Sequence, residues 1–112
     1  MRFLFESVTG GEQVSRFSFL GAAPAEIYRL WPDRLEVERD GRRQTLPGAP
    51  LEALQAVLGR YQGERGPIPF TGGFVGFFGY DTIRFVERLP DRPPDPFDLP
   101  VAMLARVDTL LV

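Results

Sequence analysis

A chain of 112 residues with 44% hydrophobic and 12% aromatic side chains is large enough for one domain with a core. Its net charge of −2, with Arg, Asp and Glu interspersed, offers no basic patch, so nucleic acid is excluded as an expected partner. Cysteine and histidine are both absent, which removes disulfides, thiolate metal sites, cysteine nucleophiles, the usual general base near neutral pH and the commonest metal ligand. Serines remain, but without histidine a Ser-His-Asp triad cannot form; paired carboxylates stay formally possible. No apolar run reaches the length of a membrane span, and Arg2 and Glu6 interrupt the opening too early for a signal peptide, so a soluble cytoplasmic protein is expected.

In chain order, Phe3 to Val8 reads as a strand running into Thr9-Gly10-Gly11, and Arg16 to Leu20 as its antiparallel neighbour, with Phe17 and Phe19 on one face. Ile27 to Trp31 and Leu35 to Arg39 follow as strands. Asp40-Gly41 predicts a tight hairpin of the primed type leading into Arg42 to Leu46, and the Arg42-Arg43 pair reads as solvated surface. After Pro47 the period changes. Pro50 suits a first helical turn, and Leu51, Leu54, Val57, Leu58 and Tyr61 share one helical stripe up to Gly63.

The stretch Thr71 to Arg84, T-G-G-F-V-G-F-F-G-Y-D-T-I-R, places four glycines in an aromatic, strand-like run. A phosphate-binding loop is excluded because every basic residue of the chain is arginine, and residues 72 to 79 never give G-x-G-x-x-G. The glycines therefore mark bends or close backbone approach. Asp81 to Arg88 predicts a short helix in which Asp81 and Arg84, three apart, form an ion pair. Leu89 to Pro100, with five prolines, is an extended connection, and Val101 to Val112 a strand apolar enough to be buried on both faces. The whole predicts an α+β fold: mostly antiparallel sheet, part of a two-sheet sandwich core, with one or two covering helices. Residues 1–112 read as a single incomplete domain, because the chain opens inside a strand and ends on Leu110-Leu111-Val112 without a polar turn.

Taken with F-L-F-E-S-V at Phe3 to Val8, R-F-S-F-L-G at Arg16 to Gly21, and D-L-P and V-D-T-L-L-V between Asp98 and Val112, the glycine-rich run closely resembles the N-terminal region of anthranilate synthase component I. Residues 22 to 66 match in pattern rather than in motif. The resemblance implies a piece of an enzyme of the carbon-oxygen lyase type, which makes anthranilate from chorismate with ammonia from a glutamine amidotransferase partner, in tryptophan biosynthesis. It also implies that Mg²⁺ and chorismate are held by a C-terminal portion outside these residues, so that this segment holds no catalytic or metal site and is inactive alone. The corresponding segment of aminodeoxychorismate synthase component I is the alternative, and a non-catalytic scaffold that associates through exposed sheet edges is a third reading.

The resemblance further implies a feedback site for tryptophan. Phe5-Glu6-Ser7 stands at the family's L-E-S motif, with Phe5 in place of the leucine, and Arg16 aligns with a basic ligand-side residue. An amino-acid ligand needs an acceptor for its ammonium, such as Glu6, a cation for its carboxylate, such as Arg16, and apolar walls for its indole. Read without the family, Glu6 is an outward strand carboxylate, Ser7 a core-edge hydroxyl and Arg16 a cross-strand partner of Glu6.

Overall fold

The structure, a computed structural model, describes residues 1–6 and 17–112. Their strands are β1 (Arg2–Phe5), β2 (Phe19–Ala22), β3 (Glu26–Leu30), β4 (Leu35–Arg39), β5 (Arg42–Leu46), β6 (Gly73–Phe78), β7 (Ala102–Val107) and β8 (Leu110–Leu111), with helix α1 (Pro50–Gly59) between β5 and β6. They form two antiparallel sheets, one of three strands in the order β1-β2-β8 and one of five in the order β5-β4-β3-β7-β6. The expected α+β fold with two sheets and one main helix is the observed one.

Alternation along the central strands separates the two faces of the five-stranded sheet. Tyr28 and Leu30 of β3, Leu35 and Val37 of β4 and Leu104 of β7 join Leu54 and Val57 of α1 in the main core. On the opposite face, Val75, Ala105 and Val107 make a second cluster with Phe3, Phe70 and Leu110, through which the small sheet packs on the large one. β7 lies between β3 and β6 and contributes to both clusters, so its near-continuous apolar character follows from having neighbours above, below and on each side.

Local chemistry explains the boundaries. The hairpin between β4 and β5 turns through Asp40 (φ 50°) and Gly41 (φ 74°), and positive φ at both positions is what a primed turn requires. Helix α1 begins with Pro50 in its first turn, where no helical N–H is lost, and ends at Arg60, whose N–H reaches the Leu58 and Val57 carbonyls. A Cβ on Gly76 would overlap the Met103 carbonyl, so this glycine lets β6 lie flush against β7.

Several elements differ from expectation. β1 ends at Phe5, and residues 7–16 lie outside the described ones. β2 covers Phe19–Ala22; of the strand expected over residues 16 to 20, residue 16 lies outside the described residues and 17 and 18 precede the strand, while Gly21 continues it because the Phe3 ring occupies the space that a side chain there would fill. β3 starts one residue earlier, at Glu26, and ends before Trp31. Tyr61 lies beyond the end of α1 instead of on its stripe. The short helix is a 3₁₀ helix over Tyr80–Phe85, begun by Gly79, whose N–H is held by the Val101 carbonyl while its own carbonyl accepts from Thr82. Asp81 and Arg84 pair within it at 2.9 Å, as their spacing predicted. The last apolar run is two strands, broken at Asp108-Thr109 where the chain leaves the large sheet for the small one. No helix among the described residues is long and apolar enough to cross a membrane.

Candidate functional site

Two of the predicted ligand residues, Phe5 and Glu6, fall at one end of the small sheet. Phe5, the last residue of β1, pairs with Phe19 of β2, and Glu6 follows it into solvent. Ser7 and Arg16 lie outside the described residues. Around Phe5 the sequence builds an aromatic group because every second residue of each strand faces the same way. The Phe3 and Phe5 rings lie 5.3 Å apart, those of Phe17 and Phe19 6.2 Å, and Phe19 meets Phe70 edge-on at 5.9 Å. Phe3 is covered by the large sheet, whereas Phe5 stays 51% exposed. An apolar wall with one open aromatic face and a carboxylate at its rim is a surface to which a flat amphiphile can bind. Among the described residues Glu6 makes no hydrogen bond or ion pair.

A second cluster was missed at the sequence level. Glu26 is buried on the helix-facing side of the large sheet, and the register sets it directly between Arg39 of β4 and Arg106 of β7. Its Oε1 accepts from Arg39 Nε at 2.5 Å; its Oε2 accepts from Tyr28 hydroxyl at 2.6 Å, Arg106 Nε at 2.9 Å and Tyr61 hydroxyl at 3.2 Å. Burial pushes the carboxyl upward, but the hydrogen bonds from Tyr28, Arg39 and Arg106 outweigh it and bring its pKa from 4.5 down to about 2. The same arrangement pushes the Tyr28 hydroxyl up, through burial and then its bond to Glu26. Arg106 also donates to Asp108 at 3.1 Å and lies 5.3 Å from the Tyr61 ring centroid. With both oxygens occupied the carboxylate has no position left for a substrate, and the cluster reads as a clamp fastening the end of α1 to three strands. The available signal was period 2: extending β3 by one residue puts Glu26 on the face of Tyr28 and Leu30, where a carboxylate demands partners.

Beside this cluster a groove of about 590 Å³ runs past Tyr61, Arg65, Thr71, Gly73, Arg106 and Asp108, but the Arg106 guanidinium is committed to Glu26 and Asp108. On the far face, Glu38 binds Arg29 and Arg43 of the neighbouring strands, and Glu36 binds Arg34 and the Trp31 indole N–H of the turn that precedes its strand. Among the described residues no three Asp or Glu side chains gather in a way that could hold a metal ion.

No protein-family model matches the chain. Similarity to curated proteins is extensive. The chain is 38% identical over 113 residues to anthranilate synthase component 1 of Acetivibrio thermocellus, covering 98% of this chain and 23% of the relative. It is 38% identical over 117 residues to that of Cereibacter sphaeroides, and 39% identical over 114 residues to that of Synechocystis, again over 98% of its own length and 23% and 22% of theirs. The chain thus spans under a quarter of the length of these relatives, and the matched part is their N-terminal region. Over nearly its whole length, then, the chain matches the N-terminal region of proteins named anthranilate synthase component 1.

Proposed function

We propose that this chain supplies the N-terminal scaffold and regulatory part of an anthranilate synthase component I acting in the cytoplasm. The complete enzyme would convert chorismate and glutamine to anthranilate, pyruvate and glutamate, with a glutamine amidotransferase as partner. The observation that carries the reading is identity of 38% extending over 98% of the chain. Exposed apolar surface agrees with a scaffold role: Leu4, Leu20 and Leu111 stand opposite one another across the three strands of the small sheet and form an exposed row on its outer face. Chorismate and Mg²⁺ chemistry belongs, in this reading, to residues outside this segment, and these 112 residues alone do not turn chorismate over.

Tryptophan is the proposed ligand of the Phe5 end of the small sheet. Its indole would lie on the open face of Phe5, its ammonium would meet Glu6, Ser7 would add a hydrogen bond and Arg16 would meet the carboxylate. Phe5 is half exposed and supplies one wall only, so binding to the isolated chain is expected to be weak. Calorimetry with L-tryptophan tests this. Saturable heat at millimolar ligand, abolished by Glu6→Ala, is the expected result. No heat at that concentration, with the fold shown intact by circular dichroism, would overturn the ligand assignment.

A further inference from the structure

From its edge geometry we infer that the outer edge of β6 is the seat of an added strand, donated by the portion of the component I chain that these 112 residues do not include. The inference rests on the family reading above and makes it specific to one edge. Among the described residues β6 is the last strand of the five-stranded sheet, paired with β7 alone. The Gly79 N–H donates to the Val101 carbonyl in the same register, so the odd-numbered residues of β6 face β7. The N–H and C=O groups of Phe74, Gly76 and Phe78 therefore point away from the sheet. They have no backbone partner among the described residues.

Exposed edges of this kind are normally blunted by charge, proline or a bulge. The opposite edge of the sheet shows such blunting, since β5 carries Arg42 and Arg43. β6 carries no charge, and its regular register with β7 excludes a bulge. Its last two residues expose aromatic rings on opposite faces, Phe77 at 44% and Phe78 at 57%. A strand laid along this edge satisfies three residues of orphaned backbone, and the layers that accompany it cover one ring on each side. The donor of such a strand is at hand in the family: the relatives extend well beyond the 23% of their length that this chain matches.

The test mixes this chain with the complementary part of the Acetivibrio thermocellus component 1, expressed without its matched 113-residue region. Amide hydrogen exchange at Gly76 and Phe78 should be fast in the chain alone and slow in the complex, while Val75 and Phe77 stay protected in both. The F77K/F78K variant, changed only at exposed positions, should keep its melting temperature and lose complex affinity by about tenfold or more. A complex that forms anthranilate while Gly76 and Phe78 still exchange fast would overturn the edge assignment and leave the family reading standing. Failure of the two parts to associate would count against both. Slow exchange in the chain alone, with a dimer in sedimentation, would make a second copy the occupant and overturn the inference.

Discussion

Replacing Glu26 by glutamine keeps the shape of the clamp and removes its charge. The carboxylate has only 9% of its side chain exposed and faces Arg39 and Arg106, which are 46% and 23% exposed. Removing one partner of a well-buried pair costs about 3–5 kcal/mol, because the other charge is left uncompensated. Here Arg39 can turn to water and Arg106 keeps Asp108, which lowers the expectation to about 2–3 kcal/mol. The titration points to the same size. A carboxyl whose folded pKa is about 2 against 4.5 when unfolded contributes at most about 3 kcal/mol near neutral pH. Because the folded value is the lower one, that contribution is complete above about 4.5 and is lost as pH falls toward 2. Urea unfolding of wild type and E26Q at pH 7 and at pH 2.5 separates the effects: the variant should be weaker by about 2–3 kcal/mol at pH 7, and the gap should narrow markedly at pH 2.5. A difference under about 0.5 kcal/mol at pH 7, or a gap independent of pH, would refute the electrostatic account of the clamp.

Gly76→Ala should destabilise the domain by about 1–3 kcal/mol or more, since the new methyl meets the backbone of Met103 and Leu104, which cannot rotate away; thermal melting checks it, and an unchanged midpoint would show that β6 moves off β7 freely. Arg84 donates to Asp81 and to the carbonyls of Leu89 and Asp91, so Arg84→Ala should loosen the proline-rich connection with little effect on the core. Limited proteolysis should then cut between residues 88 and 100 faster than in wild type, and an unaltered cleavage rate would argue that the prolines hold the connection alone. Tyr61→Phe removes one donor to Glu26 and should cost about 0.5–1.5 kcal/mol in urea unfolding, with no change expected in the wavelength of Trp31 fluorescence.

What the sequence determined by itself was set by short-range rules. Asp40-Gly41 could only make its primed turn, Pro50 could only open a helix, the period of Leu51 to Leu58 marked the covering face, and Asp81 and Arg84 were close enough in sequence to pair. The family motifs, likewise, are linear strings. What the tertiary structure decided depended on register between distant strands. Glu26 became the polar centre because β3 is flanked by β4 and β7, which bring Arg39 and Arg106 from 13 and 80 residues away. The final apolar run became two strands because its last residues are needed by the other sheet, next to Leu20 and Gly21. The glycines of β6 were legible as places of close approach, but only the ladder shows that Gly76 meets Met103 on one side while its own N–H and C=O are left facing outward on the other.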